Sequence, residues 1–262
     1  MARIIAVSNQ KGGVGKTTTA INLGASLALA DQRVLLVDVD PQANLTSGLG
    51  QRERAAEVGT VYHALTDAQL GTQSLPTVET GVQGLVLAPS DRHLTGAEIE
   101  MVGLADRERR LRQVLDPLRT SYDYIIIDTP PSLGLLTLNA LVAADEVIIP
   151  LHCEYFALEG LADLVATLRR VKTALNPALE VGGVLLTMYD ERTNLAQQVA
   201  REIREYFGER VFNTVIPRNV RLGEAPSHGM PVMLYDVRCR GAEAYLALAR
   251  EFLERARAGA TH

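Results

Sequence analysis

Along most of the chain, short runs of β-branched and other apolar residues alternate with longer stretches whose apolar positions recur every three to four residues. The runs that read as strands are Arg3 to Ser8, Val34 to Val39, Leu85 to Ala88, Tyr124 to Asp128, Glu146 to Leu151, Val181 to Met188 and Asn213 to Ile216. Helical periodicity marks Thr17 to Ala30, Ala105 to Leu118, Leu135 to Ala143, Glu159 to Leu175, Leu195 to Phe207 and Ala242 to Ala258. This alternation predicts βαβ units. Several strand runs are apolar at successive positions, as a parallel sheet covered on both faces requires. The expected fold is α/β, a doubly wound, mainly parallel sheet flanked by helices, in one domain over residues 1–262. Gln51 to Gly84, rich in Gly, Thr and Gln, is the least patterned region and reads as a surface excursion.

Composition narrows the function more than the fold. With 47% hydrophobic and 22% charged residues the chain is ordinary for a globular protein, and disordered and fibrous classes are excluded. A formal charge of -5 rules out a protein coated in positive charge. Cations are lopsided: lysine stands only at Lys11, Lys16 and Lys172, the rest being arginine, for which codon bias is the plain explanation. Two cysteines, Cys153 and Cys239, are too few for a disulfide framework, so a reducing cytosol is the natural compartment. Met1 to Ser8 is apolar for only a few residues before polar Asn9-Gln10-Lys11, so the apolar core and cleavage site of a signal peptide are not expected there. The most apolar longer stretch, Leu133 to Leu151, is interrupted by Asn139, Asp145, Glu146 and Pro150, so no membrane span or membrane partner is expected. His63, His93, His152, His228 and His262 show no ligand spacing.

The first strand runs directly into Gln10-Lys-Gly-Gly-Val-Gly-Lys-Thr-Thr18 and then an Ala-rich helix. A strand, a glycine-rich loop and a helix start stand here in the order that anion binding needs. Glycines at 12, 13 and 15 let successive N–H groups turn inward around phosphate oxygens, and the helix start adds unpaired N–H groups and its positive dipole end. Lys16 would place its ammonium on the outer phosphates, and the Thr17 hydroxyl would ligate Mg²⁺. The Walker A pattern asks for Gly at position 10, where this chain has Gln10, and a second lysine, Lys11, follows. Two ammonium groups in so short a loop repel unless a polyphosphate neutralises them or one points elsewhere. Lys11 is therefore expected to serve a phosphate that its own loop does not already satisfy.

Lys11-Gly-Gly-Val-Gly-Lys-Thr17 resembles the deviant Walker A box of the ParA/MinD ATPases, a P-loop NTPase family. The resemblance continues through Val34-Leu-Leu-Val-Asp-Val-Asp-Pro-Gln42, Tyr122-Asp-Tyr-Ile-Ile-Ile-Asp-Thr-Pro-Pro131, Thr187-Met-Tyr-Asp190 and Val215-Ile-Pro-Arg-Asn-Val-Arg221. Within the family the chain looks most like the ParA/Soj partition proteins. The resemblance implies ATP and Mg²⁺ as ligands, with Lys11, Gly12, Gly13, Val14, Gly15, Lys16, Thr17 and Thr18 around the nucleotide. It implies that Lys11 reaches across an ATP-dependent homodimer to the partner's nucleotide, and that Gly12 permits the close approach. A weak ATPase, stimulated by a ParB-like partner and residing on the nucleoid in the cytoplasm, is the activity so implied.

Asp38 and Asp40, two apart at the end of the second strand, emerge on one face at the sheet edge where open α/β proteins bind ligands. One carboxylate near the Mg²⁺ shell and one near the γ-phosphate would divide the holding of metal from the orienting of water. By resemblance Asp40 positions the water and Asp38 lies closer to the metal; an Asp pair capping a turn is the plainer alternative. Asp128, ending the apolar run Ile125-Ile-Ile127, reads as the Walker B carboxylate, holding Mg²⁺ through water. The Thr129 N–H is placed to sense the γ-phosphate.

The base has no signature of its own. Resemblance places adenine near Pro217 and Asn219, with Met188 in the vicinity, while Ile216-Pro217 reads equally as a plain strand terminus. From Val211 to Arg240 the chain carries Arg218, Arg221, Arg238 and Arg240 against Glu224 and Asp236. So small an excess is usually a solvated face. Resemblance makes it a DNA surface, because Arg192 and Arg221 fall where ParA/Soj proteins hold double-stranded DNA nonspecifically. No helix-turn-helix or zinc finger is evident, so contacts with phosphates are expected. Two alternatives compete. A MinD-like membrane ATPase needs a basic amphipathic C-terminal helix, and the mixed charges of Tyr245 to Arg257 fit core packing better. A nitrogenase-iron-protein-like electron donor would need cluster cysteines, for which Cys153 and Cys239 suffice only in number. Tyr155, Phe156 and Leu158 suit either a partner surface or helix-start packing.

Overall fold

A computed structural model describes residues 1–67, 75–154 and 157–259; Tyr155, Phe156 and His262 lie outside them. Among the described residues, seven strands form one sheet: β1 (Arg3–Val7), β2 (Val34–Asp38), β3 (Val78–Glu79), β4 (Leu85–Ala88), β5 (Tyr124–Asp128), β6 (Glu146–His152) and β7 (Glu180–Thr187). Their order is β3-β4-β2-β5-β1-β6-β7, and only the two-residue β3 is antiparallel to its neighbour. The α-helices are α1 (Lys16–Ala28), α2 (Asn44–Gly48), α3 (Arg52–Val58), α4 (Val61–Thr66), α5 (Leu94–Glu100), α6 (Arg110–Leu115), α7 (Leu135–Ala143), α8 (Ala157–Ala174), α9 (Asn194–Phe207), α10 (Val220–Glu224), α11 (Val232–Tyr235) and α12 (Arg240–Gly259).

Strand periodicity divides the core between two faces. Ile4, Ala6, Leu35, Val37, Ile125 and Ile127 join α4 to α9 on one side. Ile5, Val7, Leu36 and Ile126 join α1, α11 and α12 on the other. Successive side chains point to opposite faces, so strands covered on both sides must be apolar throughout, and each buried Leu or Ile contributes roughly 1.5–3 kcal/mol. The expected doubly wound, mainly parallel α/β sheet is the observed one.

The winding positions the site. The connection from β1 through α1 reaches β2, skipping the slot that β5 later fills, and the connection from β5 through α7 crosses to β6 on the far side of β1. The chain thus diverges around β1 at the C-terminal sheet edge, where a crevice opens. At that edge Asp128 is in register with Val7 on one side and Asp38 on the other.

Several expectations need correction. Asn213 to Ile216 is not a strand: Val211 and Pro217 make isolated bridges to Val184 and Tyr189, and between them only Phe212 and Ile216 donate to β7. Ala105 to Leu118 is not one helix, because Asp106 has a φ of 53° and Pro117 sits at the start of a following 3₁₀ turn, Asp116–Thr120. The described residues of Gln51 to Gly84 carry α3, α4 and β3, more regular structure than the expected excursion, and 68–74 lie outside the described residues. β6 holds Pro150 within it and runs one residue past the expected Leu151, to His152. β1 pairs with β6 only as far as Ile148, and Asn9 Nδ2 donates to the Pro150 carbonyl at 2.8 Å, so the missing N–H leaves no gap in the ladder.

Helix α12 commits its apolar stripe to the core: Tyr245, Leu248, Ala249 and Phe252 are buried, and Tyr245 Oη meets Thr19 Oγ1 at 3.1 Å. A helix lying on a membrane needs that stripe free. Among the described residues no helix is long and apolar enough to cross a membrane.

Candidate functional site

A cavity of about 790 Å³ occupies the C-terminal edge, between the loop after β1 and the segment before α10. Gly12, Gly13, Gly15, Lys16, Thr17 and Thr18 line one wall, and Asp40 with Gln42 stands on another. Met188, Pro217, Arg218 and Asn219 line the far end, so the structure gathers the expected base-side residues with the loop.

The loop takes its shape from two backbone positions. Gly13 and Gly15 have φ of 72° and 88°, a region that side chains disfavour, and Gly15 caps α1. The helix therefore starts at Lys16 with its free N–H groups at the cavity. Gly12 does not share this conformation, and a Cβ there would meet only Pro131 Cβ at 4.0 Å. Val14 is buried away from the cavity, its carbonyl accepting from the Thr187 hydroxyl at 2.8 Å.

Lys16 is 7% exposed, and its ammonium donates to the Lys11 carbonyl at 3.0 Å. Burial draws its pKa below the usual lysine value, while the carboxylates of Asp128 and Asp40 push the other way. Lys11 turns out of the loop and pairs with Glu154, which also meets His152 Nδ1 at 2.7 Å. Sequence reading missed Glu154; the sole hint was that one of two adjacent ammonium groups had to point elsewhere.

The three carboxylates differ. Asp128 is fully buried and no hydrogen bond of ordinary geometry reaches either oxygen, although the Thr17 hydroxyl is near enough to favour its ionised form. Burial, and then the charge of Asp38, raise its pKa well above the carboxylate range. An orphaned buried carboxylate beside an ammonium and a hydroxyl is suited to a divalent cation. Asp38 is also fully buried, but its oxygens are taken: Oδ2 accepts the Thr46 N–H at 2.9 Å and the Thr46 hydroxyl at 2.6 Å, and Oδ1 accepts the Asp40 N–H at 3.2 Å. The expectation that Asp38 serves the metal thus meets a group already engaged in bracing the chain. Asp40, 6% exposed, accepts the Gln42 N–H at 2.9 Å and borders the cavity.

At the base end Met188 holds φ of 48°, an uncommon conformation for a residue with a side chain, where β7 ends. The Tyr189 N–H donates to the Ile216 carbonyl at 3.0 Å, locking this turn to the segment carrying Pro217. Asn219 caps α10, accepting the Arg221 N–H at 3.0 Å. Tyr245 of α12 also lines the cavity, and no motif in the sequence pointed to it.

Of the five arginines expected at DNA, only Arg218 borders the cavity. All five are exposed. Arg192 forms a two-pronged pair with Asp190 at 2.8 and 2.7 Å. Arg221 pairs with Glu224 at 2.6 Å and Asp236 at 3.4 Å, its guanidinium lying 5.9 Å from the Tyr235 ring centre. The Arg238 N–H donates to Asp236, and Arg240 opens α12. Cys153 is buried, which pushes its thiol up to about 11, and among the described residues no group of three or more His, Cys, Asp or Glu side chains is gathered to hold a metal ion between them.

Comparisons with known proteins bear on the family. A model described as an AAA domain matches residues 2–181. The chain is 56% identical over 255 residues to the chromosome partitioning protein ParA of Myxococcus xanthus, covering 97% of this chain and 89% of that one. It is 57% identical over 251 residues to the sporulation initiation inhibitor protein Soj of Bacillus subtilis, covering 96% and 98%. Among solved structures, cobyrinic acid a,c-diamide synthase from Mycobacterium smegmatis with bound ADP and magnesium superposes with a TM-score of 0.84 at 37% identity, over 99% of this chain and 97% of that one.

Proposed function

The chain belongs to the ParA/Soj chromosome-partitioning family of P-loop ATPases, and from that premise we propose that it is an ATP-driven switch for moving DNA. ATP occupies the cavity with its phosphates on the loop of Gly12 to Thr18 and its base toward Met188, Pro217 and Asn219. The observation that carries this reading is the unpartnered Asp128 carboxylate beside Thr17 and Lys16 at the mouth of α1. Thr17 and Asp128 would hold Mg²⁺, which supplies charge neutralisation on the β- and γ-phosphates when bound.

Within the chain the labour divides by position. Lys16 binds and neutralises phosphate oxygens, having only a backbone carbonyl as partner beforehand. Asp40 orients the attacking water and accepts its proton as the phosphoryl group departs. Lys11, held on Glu154 by an exposed pair, is released toward the nucleotide of a second copy, and ATP thereby joins two chains. Joining doubles the arginine surface of Arg192, Arg218, Arg221, Arg238 and Arg240, so affinity for double-stranded DNA follows nucleotide state. A ParB-like partner stimulates hydrolysis, and the dimer then releases DNA, giving a protein of the cytoplasm that resides on the nucleoid while ATP is bound.

DNA retardation with ATP, ADP and no nucleotide tests this reading, with phosphate release followed in parallel. Retardation with ATP alone is expected; equal retardation under all three conditions would overturn it.

A further inference from the structure

Thr46 and Ser90 close a ring of hydrogen bonds around the backbone of Asp40. The Asp40 N–H donates to Asp38 Oδ1 at 3.2 Å. Asp38 Oδ2 accepts the Thr46 hydroxyl at 2.6 Å, and Thr46 Oγ1 in turn accepts the Ser90 N–H at 2.9 Å. Ser90 Oγ then donates to the Asp40 carbonyl at 2.8 Å, completing the circuit. Every donor meets an acceptor, and the members are between 0% and 6% exposed. In that low-dielectric setting such a network is stiff, and removing the Thr46 hydroxyl leaves the Ser90 N–H without its acceptor.

The ring gathers three separate parts of the chain: the exit from β2, the first turn of α2, and the residue two beyond β4. It grips Asp40 by its N–H and its carbonyl and leaves the carboxylate at the cavity, where only the Gln42 N–H reaches it. On the far side of Asp40 the chain turns sharply: Pro41 has no N–H to give, Ala43 sits at φ of 53°, and the Ala43 N–H joins the Ser90 hydroxyl on the Asp40 carbonyl at 2.8 Å.

We propose that Thr46 and Ser90 are positioning residues for hydrolysis, fixing the peptide groups on both sides of Asp40 and hence the aim of its carboxylate at the attacking water. This rests on the reading of Asp40 as the water-orienting group. Neither residue lines the nucleotide cavity, so their effect falls on turnover and not on nucleotide binding. Misaim of a catalytic group by about 1 Å costs up to roughly a hundredfold in rate.

The test compares Thr46→Val, Ser90→Ala, their double variant, Thr46→Ser, Ser90→Thr and Asp40→Ala in the full chain. The readouts are ATP turnover, KM and equilibrium binding of a fluorescent ATP analogue. Thr46→Val is expected to lower kcat about tenfold or more and Ser90→Ala several-fold, with KM and analogue affinity within about twofold of wild type. Thr46→Ser and Ser90→Thr restore the hydroxyl and recover turnover. The double variant falls little below Thr46→Val, because both break one ring. Unchanged kcat in both single variants, or loss of kcat matched by equal loss of analogue affinity, overturns the assignment. Should Thr46→Val fail to fold, Ser90→Ala and its threonine rescue decide by the same criteria. Wild-type turnover in Asp40→Ala would instead overturn the underlying reading of Asp40; abolished turnover there, with intact Thr46→Val and Ser90→Ala, would overturn the ring alone.

Discussion

The ammonium of Lys16 donates to the main-chain oxygen of Lys11 at 3.0 Å, so the two loop lysines are joined through backbone while their side chains diverge. Lys16 is buried with no carboxylate as a hydrogen-bond partner, and its charge is held only by the nearby fields of Asp128 and Asp40. A polyphosphate arriving at the loop supplies the missing anion at short range. Lys16→Ala is therefore expected to abolish ATP binding by a gel-filtered, folded protein; retained affinity, measured by calorimetry, would contradict the phosphate assignment.

The Lys11 to Glu154 pair lies on the surface, with both side chains a little under half exposed. Such pairs are worth roughly 0–1 kcal/mol, so handing Lys11 to another anion costs little. Lys11→Ala should keep ATP binding in the monomer and lose ATP-dependent dimerisation, read by light scattering after chromatography. Glu154→Gln removes the competitor for Lys11 while keeping its shape, and thermal unfolding is expected to shift by no more than a few degrees. Dimerisation of Lys11→Ala with ATP at the wild-type level would show that Lys11 does not bridge the two chains.

Asp38 carries a pH signature. Burial raises its carboxyl to about 6, above an unfolded value near 3.8. The native state therefore holds the proton more tightly than the unfolded chain, so this stabilisation is present at low pH and is lost as pH rises through about 6. Between pH 4.5 and 7 the loss is on the order of 2 kcal/mol. Asp38→Asn removes the titration, and its unfolding free energy, from urea curves without nucleotide, should fall less steeply over that range than wild type. Parallel slopes would show that Asp38 does not titrate there.

Phosphate loop, strand-end carboxylates and sheet class were legible because each is written in contiguous residues: a strand, a glycine pattern, a helix start. Parts of the site assembled from distant segments were not. Tyr245 reaches Thr19 across 226 positions, Glu154 reaches Lys11 across 143, and Ser90 reaches Asp40 across 50. Asp38 and Asp40 illustrate the boundary between the two. Their spacing correctly put both at one sheet edge, but which of them was free depended on Thr46, whose hydroxyl has no pattern to announce it. Asn213 to Ile216 shows the converse, a short run whose strand character is lost because the Asn213 and Thr214 N–H groups turn to the Glu251 carboxylate and only Ile216 donates to β7.

Arg221 is the most informative of the surface arginines because its charge is already spoken for. Glu224 and Asp236 both reach its guanidinium, and Tyr235 Oη donates to the same Glu224 carboxylate at 3.2 Å. If Arg221 meets DNA phosphate, it must exchange carboxylate for phosphate, and the exposed pair with Glu224 makes that exchange inexpensive. Two variants then move in opposite directions. Arg221→Ala should weaken DNA binding in the presence of ATP and lower the salt slope of log affinity by about one for each arginine engaged. Glu224→Gln removes a competing anion and should strengthen binding at low salt, with ATP turnover in the absence of DNA left as in wild type. Titrations of labelled duplex over a range of salt concentrations check both; Arg221→Ala with wild-type affinity and slope would move the DNA surface away from α10.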